Sequence, residues 1–323
     1  MKLPRRQFLH LAAGAAALPA VSRIARAQAY PTRPVRLIVG FPPGTATDTD
    51  ARLIAQWLSG RLGQQVIVDN RTGAGTNIAV ENVVRAAPDG YTLLMVTVTN
   101  AINATLYQGL NFDLLRDIAP VAGTMRTANV LVVNPAVPAR TLPQFIAYAK
   151  ANPGKINYGS GGIGAGNHVA GELFKFMTGV DLVHVPYRSS MTPDLIAGQV
   201  QVAFTPIPLS IAFIRDGKLR ALAVTGAKRS DALPGIPTVS EFVPGYLAEI
   251  WHGVGAPKNT PADIIDKLNK EIGAGLADPA MIAKFANVGA EAMPMTPGEF
   301  GQFIVAEIDK WAKVVRFAGI KVE

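Results

Sequence analysis

Hydrophobic positions along the chain follow two alternating patterns. Short runs rich in β-branched residues are separated by longer stretches whose apolar residues recur at helical spacing. This alternation predicts an α/β protein built from βαβ units, with mainly parallel sheets flanked by helices. The predicted strands are Val35–Phe41, Val66–Asp69, Thr92–Val98, Val130–Asn134, Ile156–Tyr158, Leu182–Tyr187, Val200–Thr205, Arg220–Thr225 and Ile250–Ala256. The predicted helices are Asp48–Leu62, Asn77–Ala87, Leu142–Ala151, Asn167–Thr178, Pro193–Gly198, Pro261–Leu276 and Pro297–Ala318.

The first residues have the pattern of an export signal. Residues 1–27 combine a basic start, an apolar run from Phe8 to Ala20 and a small-residue A-x-A sequence that ends at Ala27. The apolar run is about a dozen residues long, shorter than the ~20 residues that a membrane-spanning helix requires. Arg5-Arg6 also fits the twin-arginine motif, so the general and twin-arginine export routes both stay open. We therefore expect a cleaved signal and a periplasmic protein.

The expected mature chain has a small net charge. The full chain has 31 Lys and Arg residues against 23 Asp and Glu residues, a formal charge of +8. Removal of residues 1–27 takes away five basic and no acidic residues, which leaves 26 against 23, or +3. A charge of this size provides no basic stripe for binding nucleic acid, so we expect no nucleic acid partner.

The cysteine and histidine content narrows the chemistry further. The chain has no cysteine, which excludes disulfides, thiolate metal sites and a lipid-modified cysteine anchor. His168, His184 and His252 remain after processing, and their spacing does not resemble a zinc site. We therefore expect a free, monomeric protein with no metal and no cofactor.

The length of the mature chain indicates two domains. About 296 residues remain after residue 27, more than one compact core usually holds. We expect chain crossings near Gly123–Asn129 and Pro244–Trp251. The first lobe then takes residues 28–125 plus 252–323, and the second takes residues 126–251. Two lobes joined by short crossings form a hinge that suits closure around a ligand.

Glycine- or serine-rich loops follow four of the predicted strands, at residues 42–48, 72–77, 159–166 and 188–190. Ligands of open α/β sheets bind beyond the carboxyl ends of the strands, where these loops lie. Glycine lets the backbone approach a ligand, and the free N–H groups of a following helix attract anions. The loops therefore predict a backbone site for a carboxylate or phosphate. Hydroxyl donors are expected from Thr45, Thr76, Ser160, Ser189 and Ser190.

Two other functions compete with this interpretation. Residues 159–164 match the G-x-G-x-x-G pattern of dinucleotide sites, but the next strand ends without the acidic residue that binds a ribose.

An exported serine hydrolase is the alternative that remains. The nucleophile-elbow pattern fails at Ser160 because Tyr158 occupies the place of its first glycine. His184 lies near Ser189 in the sequence, but no carboxylate partner is evident.

Eight motifs, in order along the chain, resemble one known family. They are Tyr30-Pro-Thr-Arg-Pro-Val-Arg-Leu-Ile-Val, Phe41-Pro-Pro-Gly44 with Asp48 and Ala51-Arg52, Asn70-Arg71 with Gly73-Ala-Gly75, Pro88-Asp-Gly-Tyr-Thr-Leu-Leu94, Asn157-Tyr-Gly-Ser160 with His168 and Ala170-Gly-Glu-Leu-Phe174, His184-Val-Pro-Tyr187, Arg220-Ala-Leu-Ala-Val224, and Pro257 with Thr260-Pro261. The sequence is similar to the substrate-binding components of tripartite tricarboxylate transporters, the Bug-type receptors. The resemblance implies a periplasmic-binding-protein fold, often called a Venus flytrap. It also implies a receptor, not an enzyme, that delivers a carboxylate to integral-membrane transporter subunits.

The loops and the resemblance together predict the ligand-binding residues. In the first lobe they are Phe41, Gly44, Thr45, Asp48, Gly73, Ala74 and Thr76, and in the second Ser160, Gly161, Gly164, Ala165, His168, Tyr187 and Ser189. The resemblance implies that main-chain donors hold the ligand carboxylate. Thr45, Thr76 and Ser189 replace glycines of the family pattern, and each adds a hydroxyl group and bulk. These replacements predict a smaller or more hydroxyl-matched carboxylate.

Overall fold

The computed structural model describes residues 30–187 and 190–321. The chain divides into two compact units, Met1–Thr32 and Arg33–Glu323. The predicted export signal and Ser189 lie outside the described residues. The helices and strands named below all belong to the second unit.

This unit alternates strands and helices, as the sequence pattern predicts. The strands are β1 (Val35–Val39), β2 (Val66–Asn70), β3 (Thr92–Thr97), β4 (Ile118–Val133), β5 (Asn157–Ser160), β6 (Val183–Pro186), β7 (Val202–Pro206), β8 (Arg220–Val224), β9 (Glu249–Pro257) and β10 (Glu291–Ala292). The α-helices are α1 (Ala46–Leu62), α2 (Asn77–Val84), α3 (Val98–Leu106), α4 (Leu114–Asp117), α5 (Leu142–Ala151), α6 (Gly166–Thr178), α7 (Thr192–Ala197), α8 (Ile207–Arg215), α9 (Ala262–Leu276), α10 (Pro279–Asn287) and α11 (Pro297–Ala318). None of these described helices is long and apolar enough to cross a membrane.

Sequence periodicity misses α3, α4, α8 and α10 and most of β4. The predicted strand through Val98 ends one residue earlier, because Thr97 and Asn100 form a capping box that starts α3. β4 begins at Ile118, twelve residues before the predicted start at Val130. Its pairing with β9 is irregular next to Pro120 and Gly123, residues that interrupt a strand pattern in a sequence.

The sheet is continuous and has the strand order β2-β1-β3-β9-β4-β7-β5-β6, with β8 and β10 also paired to β4. The outer strands pair in parallel, β1 with β2 and β3, and β5 with β6 and β7. β4 and β9 pair antiparallel to their neighbours. The sheet is therefore mixed, whereas the sequence predicted mainly parallel pairing. The antiparallel pairs arise because β4 and β9, which run in opposite directions, lie side by side between the two groups of parallel strands.

β4 divides the sheet into two halves. Its residues 118–128 pair with β9 in the first half, which also contains β1, β2, β3 and β10. Its residues 129–133 pair with β7 and β8 in the second half, which also contains β5 and β6. β4 changes its pairing partner between Ala128 and Asn129, and β9 begins at Glu249. The two positions fall within the predicted crossing regions Gly123–Asn129 and Pro244–Trp251, respectively. The limits of the two lobes stay a prediction.

The last helix, α11, packs on β9 through aromatic side chains. Trp251 of β9 contacts Phe300 and Phe303 edge-on, with ring centroids 5.9 and 5.0 Å apart. The buried Glu307 carboxylate accepts hydrogen bonds from Trp251 Nε1 at 2.7 Å and Trp311 Nε1 at 2.9 Å. Lys310 also pairs with this carboxylate. One acidic side chain thus satisfies two buried indole groups and joins the helix to the sheet.

We predict that Glu307→Gln lowers the free energy of unfolding by roughly 1–3 kcal/mol, because an amide oxygen cannot replace both charge-assisted hydrogen bonds. Asp309→Asn removes the same charge from an exposed site on the same helix and should change stability by less than about 0.5 kcal/mol. Urea denaturation of both variants measures the difference. Equal stability of the two variants would contradict this role of Glu307.

Candidate functional site

The first two predicted loops lie side by side at the carboxyl ends of β1 and β2. These strands are parallel, with Val39 opposite Asn70, so the loops that follow them leave the same edge of the sheet. Asn70 Nδ2 donates to the Phe41 carbonyl oxygen and to Asp48 Oδ1, both at 2.9 Å. A Cβ atom at Gly40 would lie 2.6 Å from Thr76 Cβ, so the two segments approach as closely as glycine permits. The structure therefore brings the predicted first-lobe residues together.

Asp48 organises the first loop. Its buried carboxylate accepts hydrogen bonds from Gly44 N at 2.9 Å and Arg52 Nε at 2.8 Å, besides the one from Asn70. Burial raises the pKa of Asp48, but the hydrogen bonds from Arg52, Gly44 and Asn70 outweigh burial and the net pKa is lowered. The carboxylate therefore stays ionised and holds the left-handed turn at Gly44, where φ is +83°. Its hydrogen bonds join the loop to α1 and to the end of β2.

Thr45 caps α1 next to this turn. Its Oγ1 accepts from Asp48 N at 3.3 Å and donates to the Pro42 carbonyl oxygen at 2.9 Å. The next two backbone N–H groups, of Ala46 and Thr47, have no acceptor within the described part of the chain. They are the unpaired donors that every helix has at its start, at the positive end of the dipole of a 17-residue helix.

The second loop has an unusual backbone. Gly73, Ala74 and Thr76 have φ values of +125°, +46° and +83°, a region that non-glycine residues rarely adopt. Asn100 Nδ2 donates to Thr76 Oγ1 at 2.8 Å, and Asn103 Nδ2 donates to the Gly75 carbonyl oxygen at 2.6 Å. These two buried asparagines of α3 stabilise the strained loop. Sequence reasoning missed both, because it extended the strand through Val98 and assigned no helix after it.

The third loop and Tyr187 meet in the second half of the sheet. β5 and β6 are parallel, with Ser160 opposite Pro186. Tyr187 N donates to the Ser160 carbonyl oxygen at 2.9 Å. The Tyr187 hydroxyl donates to Asp194 Oδ2 at 2.8 Å, and burial together with this hydrogen bond raises the pKa of Tyr187. Ser160 and Tyr187 are thus neighbours, whereas Ser189 lies outside the described residues.

Two stacked histidines lie behind the third loop. The His168 and His184 rings stack with centroids 3.8 Å apart. His184 Nε2 lies 2.6 Å from Ser160 Oγ, and His168 Nδ1 accepts from Gly164 N at 3.0 Å. Gly161 is held separately, because its N–H donates to Asn167 Oδ1 at 3.1 Å. Ser160, Gly161 and Gly164 therefore lie in one loop that ends at Ala165, and His168 of α6 holds this loop through Gly164.

Both histidines are uncharged at neutral pH. Burial lowers the pKa of His168 to about 3, assisted by repulsion from His184 and Lys175. Burial and Lys175 also lower the pKa of His184 to about 4. Neutral His168 keeps a lone pair on Nδ1, which the hydrogen bond from Gly164 N requires. The conformation of the loop thus depends on the histidines remaining neutral.

A buried acidic residue stands next to the histidines. Glu172 is 3% exposed and accepts hydrogen bonds from the Tyr158 hydroxyl and, at 3.1 Å, from Lys175 Nζ. Burial and the neighbouring Glu172 carboxylate raise the pKa of Tyr158. Sequence reasoning assigned no role to Glu172 or Tyr158, because their contact appears only when α6 packs on β5.

Loops from both halves of the sheet converge on the end of α3. A Cβ atom at Gly75 would lie 2.6 Å from the Tyr107 hydroxyl oxygen, and one at Gly164 would lie 2.9 Å from Leu106 Cδ2. Both glycines also have positive φ values, +60° and +77°. Close approach and backbone conformation therefore both require glycine at these two positions.

A cavity of about 520 Å³ lies between the first loop and the second half of the sheet. It runs along α1 and is closed by β4, β9, the start of α8 and the end of α10. Its lining residues are Gly44, Thr45, Ala46, Thr49, Asp50, Leu53, Met125, Thr127, Pro206, Pro208, Leu209, Ile250, Phe285, Asn287 and Val288. Of the predicted site residues, Gly44 and Thr45 line this cavity, and the other described ones do not. Within residues 30–187 and 190–321, no cluster of His, Asp or Glu side chains is arranged to hold a metal ion.

Comparison with known proteins places this geometry in a family. Residues 51–320 match the model of the tripartite tricarboxylate transporter family receptor. The protein BugT of Bordetella pertussis is 38% identical over 302 residues, which cover 92% of this chain and 93% of BugT.

Solved structures agree with this match. An R. palustris protein solved with adipate is 38% identical, with a TM-score of 0.78 over 90% of this chain and 99% of that protein. MatC from Rhodopseudomonas palustris, solved with bound malate, is 29% identical, with a TM-score of 0.74 over 88% of this chain and 100% of MatC. These likenesses confirm the predicted two-lobed α/β fold of periplasmic binding proteins. The chain therefore belongs to the tripartite tricarboxylate transporter receptor family.

Proposed function

We propose that this protein is a periplasmic receptor that binds a small carboxylate and delivers it to integral-membrane transporter subunits. In this proposal it acts as a monomer after removal of residues 1–27. The family assignment supports the receptor function, and the relatives solved with adipate and malate are carboxylate binders. The proposed lobes are residues 28–125 with 252–323 and residues 126–251, which close around the ligand.

The observation that carries the proposal is the start of α1. The Ala46 and Thr47 N–H groups have no acceptor among the described residues, and Gly44, Thr45 and Ala46 border the large cavity. A buried carboxylate is costly unless hydrogen bonds compensate it. Two backbone donors and the positive end of a helix dipole supply that compensation without a basic side chain.

The glycine loops at the ends of the parallel strands support the same function. Gly73, Ala74, Ser160, Gly161 and Gly164 would close on the ligand from the two lobes. Phe41 and Tyr187 would form walls of the cleft. Asp48, Thr76 and His168 act indirectly in this proposal, because their polar atoms already bond to the loops that they position.

One contact favours the alternative of an exported serine hydrolase. Ser160 Oγ lies 2.6 Å from His184 Nε2, as a nucleophile and its base would. The Ser160 side chain is completely buried, however. In the described part of the chain, no Asp or Glu oxygen lies within ion-pair distance of His184. The pair thus lacks both substrate access and an orienting acid, and the receptor is favoured.

A thermal-shift screen tests the receptor function directly. The purified protein is heated with mono-, di- and tricarboxylates and, for comparison, with NAD. A carboxylate at a hundred times its Kd should stabilise the fold by about 2.7 kcal/mol and raise Tm by several degrees. Stabilisation by NAD alone, or by no carboxylate, would overturn the proposed function.

Replacement of the α1 cap should weaken ligand binding. Thr45→Val removes the hydroxyl that orders the first turn, at a cost of roughly 1 kcal/mol, so we expect about a fivefold loss of affinity. Thr45→Ser should retain the wild-type affinity. Thr141 caps α5 in the same way by accepting from Gln144 N, so Thr141→Val is the matched control. Isothermal titration calorimetry with a carboxylate from the screen measures all three variants, and equal losses in Thr45→Val and Thr141→Val would exclude a local role for Thr45.

Stability should fall below neutral pH because of the two stacked histidines. In the unfolded chain they titrate near 6.5, whereas in the fold their pKa values are about 3 and about 4. Between pH 6.5 and 4 the unfolded state therefore binds more protons. The free energy of unfolding should decrease by up to about 1.4 kcal/mol per pH unit for each histidine.

The double variant His168→Gln/His184→Gln isolates this effect. Glutamine keeps an acceptor for Gly164 N and a partner for Ser160 but does not titrate. Urea denaturation at pH 7 and pH 5 should show a smaller loss in the double variant than in the wild type. The same loss in both proteins would show that other groups cause the acid sensitivity.

A further inference from the structure

The wall of the large cavity is mostly apolar. Its polar lining is limited to Thr45, Thr49, Asp50, Thr127 and Asn287. The apolar side chains that line it are Leu53, Met125, Pro206, Pro208, Leu209, Ile250, Phe285 and Val288. They come from both halves of the sheet, and none of the described lining residues is Lys, Arg or His. Such a wall accommodates a hydrocarbon body and offers no cation to a second anionic group.

Asp50 is the one charged residue in this wall. Its side chain is 2% exposed. Oδ2 accepts a hydrogen bond from Thr124 Oγ1 at 2.7 Å and lies 3.2 Å from His252 Nδ1. Oδ1 is buried and has no hydrogen-bond partner in the described structure. Protein atoms cover this carboxylate almost completely, so it acts on a ligand through its negative charge, which repels a second carboxylate in this part of the cavity.

The cavity extends along one face of α1. Ala46, Asp50 and Leu53 follow one another along this face at intervals of about one helical turn. From the unpaired N–H groups at the start of α1, Asp50 is thus about 6 Å along the helix and Leu53 about 11 Å. A ligand whose carboxylate binds the start of the helix extends its body past Asp50 and into the apolar part.

We infer that this receptor selects monocarboxylates with an apolar body, because the cavity wall offers no cation to a second carboxylate and the charge of Asp50 repels one. The inference rests on the proposed function and names the class of ligand at the same site. It differs from the smaller carboxylate that the loop sequences predict, because the loop residues enclose only one end of the cavity.

Matched ligands test the selectivity on the wild-type protein. The probes are 3-phenylpropanoate, 3-(4-hydroxyphenyl)propanoate and 3-(4-carboxyphenyl)propanoate, with hexanoate and adipate as an aliphatic pair. Calorimetry at constant ionic strength should show each monocarboxylate binding at least tenfold more tightly than the matched dicarboxylate.

A cation added to the cavity wall tests the location. Val288 lines the cavity and is 43% exposed, so Val288→Lys should fold and offer an ammonium group to a second carboxylate. We expect it to increase the affinity for the dicarboxylates relative to the monocarboxylates at least fivefold. Val305 on α11 is also 43% exposed and does not line the cavity, so Val305→Lys is the matched control.

The outcomes separate this inference from the proposed function. Dicarboxylates that bind as tightly as their monocarboxylate partners would overturn the inference and leave the carboxylate receptor intact. The same holds if Val288→Lys and Val305→Lys change the affinities equally. Failure of every carboxylate to bind would overturn the proposed function, and the inference with it.

Discussion

Antiparallel pairing of β4 with β9 is the constraint on which the rest of the structure depends. These two strands carry the chain from the first half of the sheet to the second and back again. Their direction is therefore opposite, and they interrupt the parallel order of the outer strands. Met125 and Thr127 of β4 and Ile250 of β9 also form the floor of the cavity. The same crossing thus joins the two halves and places the cavity between them.

The loops around this crossing are positioned by buried polar side chains. Asp48 holds the turn before α1, Asn100 and Asn103 hold the left-handed loop at residues 73–76, and His168 holds Gly164. Each of these side chains directs its hydrogen bonds to the loop. The backbone N–H groups of Ala46 and Thr47 at the start of α1, by contrast, have no acceptor among the described residues. Rigid loops with unpaired donors bind an anion at a lower entropic cost than flexible basic side chains would.

Two parts of the cavity differ in their electrostatic character. The start of α1 has unpaired N–H groups and the positive end of a helix dipole, whereas Asp50, about one turn further along, carries a buried carboxylate. None of the described lining residues is Lys, Arg or His. In the proposed receptor, this asymmetry would favour a ligand with a single negative charge at one end.

The sequence by itself determined the α/β class, most strands and helices and the glycine-rich loops that follow the strands. These features depend on local patterns, such as the apolar run Val35–Val39 before the Pro-Pro-Gly turn, or the capped amphipathic helix Pro297–Ala318. Only the tertiary structure decided the rest. The length of β4 was hidden by Pro120 and Gly123, because residues 118–128 are held by pairing with β9, more than a hundred residues further along the chain. The roles of Asn100, Glu172 and Asp50 were hidden as well, because burial and contacts between distant segments, which no local pattern records, decide what a polar side chain bonds to.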